Sequence, residues 1–214
     1  EGILNKTSAL GINFLDTAPA YGSSEERIGR VLRDRLDWII CTKVGEEFAN
    51  GQSSFNFSGR HAQKSIQRSL KNLKTDYLDI VLVHSNGDDE AIIDNTDCLE
   101  TLARLKEEGI IRAYGMSTKT IKGGIRAADL TDVVMVTLSP SNNEDMPVIK
   151  NAESKNKGVL VKKALNSGRL SKYSLEKNLS FVLSTPGVTS IVVGTINQEH
   201  LATNVAIIHS ASSK

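Results

Sequence analysis

The sequence predicts a parallel α/β barrel of the (β/α)8 type, with the first strand missing from the given chain. Three observations lead there. Short apolar runs alternate with helical patterns over the whole length, which is the signature of a parallel sheet. The runs are β-branched and nearly continuous, as strands buried on both faces are. Seven such runs follow a helical lead-in, one fewer than a closed barrel requires. The 214 residues suit a single domain over 1–214. A doubly wound open sheet is the competing topology, but it would ordinarily carry G-x-G-x-x-G after an early strand, and none occurs here.

In chain order, Ile3, Leu4, Ala9 and Leu10 form the helical lead-in. Strands are expected over residues 12–15, 38–42, 78–83, 111–115, 133–138, 158–161 and 190–193. Ser23-x-x-Glu26 reads as a capping box, followed by a stripe of Ile28, Val31, Leu32 and Leu36 at helical spacing. Ala62, Ile66, Leu70 and Leu73 make a second stripe. Leu99, Leu102 and Leu105 make a third, which Gly109 is placed to stop. Leu201, Val205 and Ile208 make the last. The stretch 45–59, "GEEFANGQSSFNFSG", reads as a long loop carrying three phenylalanines, and long loops in compact domains are often functional. The segment between the sixth expected strand and the last helical pair is short, as if residues were missing there.

Composition narrows the function classes. Apolar residues are 39% and charged residues 24% of the chain, enough for a core and a solvated surface. Lys+Arg number 26 and Asp+Glu 25, so no basic face is implied and nucleic acid is not an expected partner. No apolar run approaches the roughly 18 residues of a membrane span, and no membrane partner is expected. Two cysteines, Cys41 and Cys98, suggest no disulfide framework and a reducing, cytoplasmic setting. Oligomeric state stays open.

Polar residues at the C-terminal ends of barrel strands face the active site. In "NFLDTAPAYGSSEERIG", residues 13–29, the first visible strand ends at Asp16 and its loop carries Tyr21. "WIICTKVG" ends at Lys43 and "YLDIVLVHSNG" at His84. A tyrosine has a pKa of roughly 10 and needs a nearby cation to act as an acid near neutrality. Lys43 is placed to supply that charge, Asp16 to hold Lys43, and His84 to donate a hydrogen bond to a carbonyl oxygen. Singly, each has a blander explanation as a cap, packing or solvated residue. Together at successive strand ends they suggest protonation of an oxygen as a hydride reaches its carbon.

"GINFLDTAPAYGSSEERIG", "TKVG" and "TDYLDIVLVHS" resemble signature segments of the aldo-keto reductase superfamily. "LARLKEEGIIRAYGMS" and "SIVVGTINQEHLATN" resemble further family segments in the expected order. The resemblance implies a (β/α)8 barrel that reduces aldehydes and ketones with NADPH. Its catalytic Asp, Tyr, Lys and His fall on Asp16, Tyr21, Lys43 and His84.

The resemblance also implies cofactor contacts. Ser117-Thr118 stands where the family has Ser-Asn against the nicotinamide amide. Met135 and Leu138 stand where it has a Gln and a stacking Tyr. In "GVLVKKALNSGRL", Leu165, Gly168 and Leu170 fit its pyrophosphate motif, and Lys163 replaces its serine. A lysine there attracts phosphate as a point charge, or snorkels from an alternating strand. Past the last strand, Gly194 and His200 stand where NADPH-selecting members have Lys and Arg, and Thr203 where they have an acidic residue. Thr195 and Asn204 fit. A helix opening there favours anions.

The expected activity is an NAD(P)H-dependent oxidoreductase that reduces small aldehydes or ketones. NADPH is the expected cofactor, with NADH as the alternative. No metal is expected. The 45–59 and 86–90 loops are expected to wall the pocket. A cofactor-binding regulatory or redox-sensing subunit with little turnover is the competing function. A barrel that binds nothing is the third.

Overall fold

The computed structural model describes residues 2–32, 34–166 and 173–212. Seven parallel strands form one curled sheet: β1 (Phe14–Asp16), β2 (Ile39–Val44), β5 (Leu78–His84), β6 (Ile111–Ser117), β7 (Val133–Thr137), β8 (Gly158–Lys162) and β9 (Ser190–Ile191). They neighbour one another in sequence order, interrupted only by a separate antiparallel hairpin, β3 (Glu46–Ala49) and β4 (Gln52–Phe55). Order and curl are those of a (β/α)8 barrel lacking its first strand. Every expected strand is present, with shifted ends. β1 begins later than expected and takes in Asp16, and β9 is cut to two residues.

Helices cover the outer face of the sheet. They are α1 (Gly2–Ala9), α2 (Ser24–Val31), α3 (Gly59–Leu73), α4 (Asp89–Asn95), α5 (Cys98–Glu107), α6 (Ile121–Leu130), α7 (Met146–Ser154), α8 (Leu175–Leu183) and α9 (Gln198–Ser212). The sequence stripes belong to α2, α3, α5 and α9, except that α2 ends at Val31, with Leu32 as its C-cap, and Leu36 lies beyond it on a 3-10 turn, exposed to solvent rather than on the helix face. Helices α4, α6, α7 and α8 complete the alternation. Ser58, Thr120 and Ser174 cap α3, α6 and α8 by accepting from the backbone N–H three residues on. Gly109 follows α5 in the left-handed region at φ 74°. None of the described helices is long and apolar enough to cross a membrane.

The expected capping box at Ser23 does not form. Ser23 has φ −85° and ψ 18° rather than an extended backbone, and its side chain caps nothing. The start of α2 is held by one acidic side chain instead. Buried Glu25 accepts from Thr42 Oγ1 at 2.7 Å and from Asn72 Nδ2 at 3.4 Å. That ties α2 to β2 and α3.

Alternation along the strands sorts two layers. Ile40, Val81, Val83, Met116, Val134, Val136, Val159 and Val161 face the helices in the main core. Cys41, Leu82, Val133, Met135 and Leu160, with Phe14, Ile80 and Ala113 against them, fill the interior of the curl. A fully buried aliphatic of this kind contributes about 1.5–3 kcal/mol. Cys41 and Cys98 are free and buried.

The expected loop 45–59 is largely the β3–β4 hairpin. Its turn is Asn50-Gly51, at φ 52° and 79°, the two left-handed residues of the tight turn that matches strand twist. Gly45, at φ 100°, joins β2 to the hairpin. A Cβ there would meet the Phe57 ring at 2.6 Å, so only glycine allows that approach. The hairpin thus folds back over the C-terminal end of the sheet, against the turn that carries Tyr21.

Candidate active site

Two residues beyond each interior apolar side chain, the strand period delivers a polar one at the mouth. Phe14 leads to Asp16, Cys41 to Lys43, Leu82 to His84, Gly115 to Ser117 and Leu160 to Lys162. Tyr21 arrives separately, on a short 3-10 turn (Pro19–Tyr21) after β1.

Lys43 is almost wholly buried at 1% exposure. Its ammonium donates to Asp16 Oδ1 at 2.7 Å, Asp16 Oδ2 at 2.8 Å and the Thr17 carbonyl at 2.9 Å. Burial pushes its pKa down, but Asp16, Cys41 and Tyr21 push harder the other way, and the net shift is upward. The lysine therefore stays charged, as a buried ammonium can when its donors are matched. Its Nζ lies 4.8 Å from the centre of the Tyr21 ring, and the Tyr21 and His84 rings meet edge-on at 6.2 Å between centroids. Asp16, Tyr21, Lys43 and His84 thus converge as expected.

The electrostatics differ from the expectation. Lys43 does lower the Tyr21 pKa, but burial raises it more, with Asp16 and Glu46 adding to the rise. The phenol lies above its ordinary 10.0 and keeps its proton at neutral pH. His84 is pushed down by burial, raised in part by Glu46, and lowered further by Lys43, Lys162 and Lys119, to about 4. It is a neutral imidazole at pH 7.

On the other side of the mouth the expected residues scatter. Ser117 and Thr118 are buried at the end of β6. The chain just past them is fixed by Asp89, whose Oδ2 accepts from Lys119 N, Thr120 N and Thr120 Oγ1 at 3.0, 2.7 and 2.7 Å. Met135 sits in the interior cluster below the mouth. Leu138 does not line the mouth. It shares the parity of Val134 and Val136 and is wholly buried between sheet and helices. Lys163 is exposed at φ 57°. The neighbouring Lys162, which the sequence reading passed over as a site residue, reaches inward instead. Its Nζ donates to Ser117 Oγ at 2.8 Å and the Thr118 carbonyl at 3.2 Å. Burial lowers its pKa to about 8, Lys163 adding to the fall and Asp145 opposing it. Strand parity was the available signal, since Lys162 follows Leu160 by two.

Leu165 is half-buried, while Gly168 and Leu170 lie outside the described residues. Gly194 and His200 are exposed, Thr195 is half-exposed and Asn204 is buried. The start of α9 is partly capped by its own chain, because Asn197 Oδ1 accepts from Glu199 N at 2.8 Å and His200 N at 3.2 Å. The N–H groups expected to attract an anion therefore already have an acceptor.

The donors gathered at the ends of β6 and β8 suit a nicotinamide cofactor. Lys162 is an inward-facing ammonium that makes no ion pair among the described residues, and it stands ready for an acceptor atom of a ligand. No cluster of metal-ligating side chains occurs among the described residues.

A curled parallel sheet with a lysine, a carboxylate, a phenol and an imidazole at its mouth defines a class of barrel oxidoreductase. Comparison with known proteins supplies the family. Residues 2–178 match the aldo/keto reductase family, and the chain belongs to it. Members are oxidoreductases that use NAD(P)H. The chain is 30% identical to an uncharacterized oxidoreductase, YqkF, of Bacillus subtilis, over 95% of this chain and 80% of that one. It superposes with TM-score 0.94 on a Pseudomonas aeruginosa structure described as an aldo-keto reductase, at 49% identity, covering 98% of this chain and 82% of that one. A shorter match, 32% identical over 49% of this chain and 36% of the other, is to the NADH-specific methylglyoxal reductase of Escherichia coli.

Proposed function

We propose that this chain reduces small aldehydes or ketones to alcohols, with Tyr21 as the proton donor. The observation that carries this reading is the convergence of Tyr21, the Asp16–Lys43 pair and His84 on one mouth. A bound nicotinamide cofactor supplies the hydride. Charge then develops on the substrate oxygen, and a neutral phenol beside a fixed ammonium is suited to quench it. The Tyr21 hydroxyl gives its proton to that oxygen. Lys43 stabilises the phenolate left behind, since the ammonium lowers the phenol's pKa. Asp16 keeps Lys43 charged and in place. His84 faces the same oxygen from the end of β5.

Ser117, Thr118 and Lys162 would hold the nicotinamide end of the cofactor through hydroxyl and ammonium donors, with Met135 packed below. Leu138 has no part in that contact. NADPH remains the favoured cofactor on the family resemblance, and the NADH-specific relative keeps NADH in play. The protein, NADPH or NADH, and a panel of aldehydes are mixed and the absorbance of the reduced cofactor is followed. Turnover supports the reading. Cofactor binding without turnover across the panel would transfer the protein to the regulatory class.

A further inference from the structure

Lys162 ends β8, and its side chain leaves its own strand. Its Nζ donates to Ser117 Oγ at 2.8 Å and to the Thr118 carbonyl at 3.2 Å. Both acceptors lie at the end of β6, and β7 stands between β6 and β8 in the sheet. The ammonium therefore reaches across the interior of the curl. An ammonium has three donors, so one is left over.

The charge around it is one-sided. Lys163 follows it in the chain, Lys119 lies just past β6, and Lys43 stands near the end of β2. All three disfavour its proton. Of the charges that bear most on it, only the Asp145 carboxylate at the head of α7 favours the proton, and Asp145 Oδ2 already accepts from Thr137 N at 2.9 Å. Lys43 has a counter-ion in Asp16. Lys162, Lys43 and Lys119 also act together on His84, so the three cations bear on one mouth.

Oxidised and reduced nicotinamide cofactors share every group except the nicotinamide ring. That ring is neutral in the reduced form and carries a positive charge in the oxidised one. A cation at the nicotinamide end therefore treats the two forms differently, while contacts to the rest of the cofactor treat them alike.

We propose that Lys162 sets the redox preference of the site: its ammonium repels the cationic oxidised ring, so the mouth takes up reduced cofactor and gives up the oxidised form. This rests on the reading of the site given above and adds to it the form of cofactor that the site selects. The Asp16–Lys43 pair is close to neutral as a unit, which leaves Lys162 as the discriminating charge. At an effective dielectric of about 20, two unit charges about 12 Å apart already change an affinity about tenfold. A nicotinamide held by Ser117 falls inside that range. The overall balance between carbonyl and alcohol is untouched, since no protein alters it. Occupancy is what shifts: the reduced form loads and the spent form leaves.

Equilibrium titration of the resting protein reads this without turnover. Fluorescence of the reduced cofactor gives its Kd, and displacement by the oxidised cofactor gives the other. At pH 7 the native protein should hold the reduced form about tenfold or more tighter than the oxidised one. In Lys162→Met the reduced form binds more weakly, the oxidised form does not, and the ratio collapses toward one. Lys162→Arg, whose guanidinium stays charged, keeps the preference. Thermal melting checks that each variant stays folded, and a pH titration reads the same charge with no substitution at all. Burial lowers the Lys162 pKa to about 8, with Lys163, Lys119 and Lys43 adding to the fall and Asp145 opposing it. The native preference should therefore shrink as pH rises through about 8, and that of Lys162→Arg should not. Equal affinities for the two forms in the native protein at pH 7, or a preference that persists unchanged in Lys162→Met, overturns the proposal. If such a protein still reduces aldehydes, the reductase reading survives alone. A protein with the Lys162-dependent preference that turns over no aldehyde overturns the reductase reading and leaves the redox preference standing. A protein that binds neither form overturns both.

Discussion

The two sides of the mouth are built on different terms. Around β1, β2 and β5, charged side chains fix one another. Lys43 spends its donors on Asp16 and the Thr17 carbonyl, and the Glu46 carboxylate stands beside His84. Around β6, β7 and β8, Lys162 is anchored only to a hydroxyl and a carbonyl, and Met135 is apolar floor. The first side is complete without a ligand. The second keeps a desolvated ammonium whose natural partner is brought from outside. Preorganised charge stabilises a transition state without reorganising, whereas a site for a dissociable ligand leaves part of its bonding to that ligand. The contrast predicts that damage to the first side strikes the chemical step and damage to the second strikes binding.

The largest effect tests the first half of that statement. Tyr21→Phe removes the proposed acid and no more than one oxygen from a side chain already 47% exposed. Reduction should fall by about 10²–10⁴-fold, with cofactor affinity and melting temperature nearly unchanged. Turnover retained at the native rate would remove Tyr21 from the chemistry.

Next is Lys43→Met, which strands the half-buried Asp16 carboxylate. Breaking a buried pair on one side costs about 3–5 kcal/mol, read by denaturant titration, and the rate should fall too. Burial raises the Tyr21 pKa and Lys43 lowers it, so loss of Lys43 raises it further. The high-pH decline of reduction, set by loss of the phenol proton, should then move to higher pH. An unmoved decline would uncouple the two residues. Lys43→Met together with Asp16→Asn should recover part of the stability and little of the rate.

Lys162→Met addresses the second side. The ammonium is the form that serves an acceptor, and burial has lowered its pKa to about 8. Affinity for the reduced cofactor should therefore weaken in the native protein as pH rises through about 8. The variant should bind about tenfold less tightly at pH 7, as expected for a lost hydrogen bond from a charged group, and should lose that pH dependence. Cofactor fluorescence titration measures both. A normal affinity combined with a collapsed rate would place Lys162 with the chemistry and dissolve the contrast.

The same contrast explains what the sequence could tell. The barrel order, the strands and the four converging residues are legible, because buried parallel strands read as apolar runs, Asp16, Lys43 and His84 stand at the ends of three of them, and Tyr21 lies on the turn just past the first. Lys162 is legible too, but only by counting from Leu160. Resemblance alone points to Leu138, which strand parity turns to the helix side, and to Lys163, which lies just past β8 at φ 57° and is exposed. Glu46 is harder. Its place depends on Gly45 at φ 100° and on the Asn50-Gly51 turn, and the exposed polar residues around that turn hide the hairpin's two strands. A contact made across a fold-back leaves no period in the sequence.

The smallest effect belongs at the rim. His200 is exposed in the first turn of α9, and Asn197 already satisfies two of the N–H groups there, so the helix end offers an incoming phosphate less than an open one would. His200→Arg adds a permanent fork-shaped cation beside it. Exposed pairs are worth about 0.2–1 kcal/mol, so the ratio of kcat/KM for NADPH over NADH should rise by no more than about fivefold, with kcat itself unchanged. A much larger rise would mean that the 2′-phosphate sits desolvated against α9. Discrimination between the two cofactors would then rest with that helix. No change at all would put the phosphate out of reach of residue 200 and leave Lys162 as the main cation through which this side of the mouth holds its ligand.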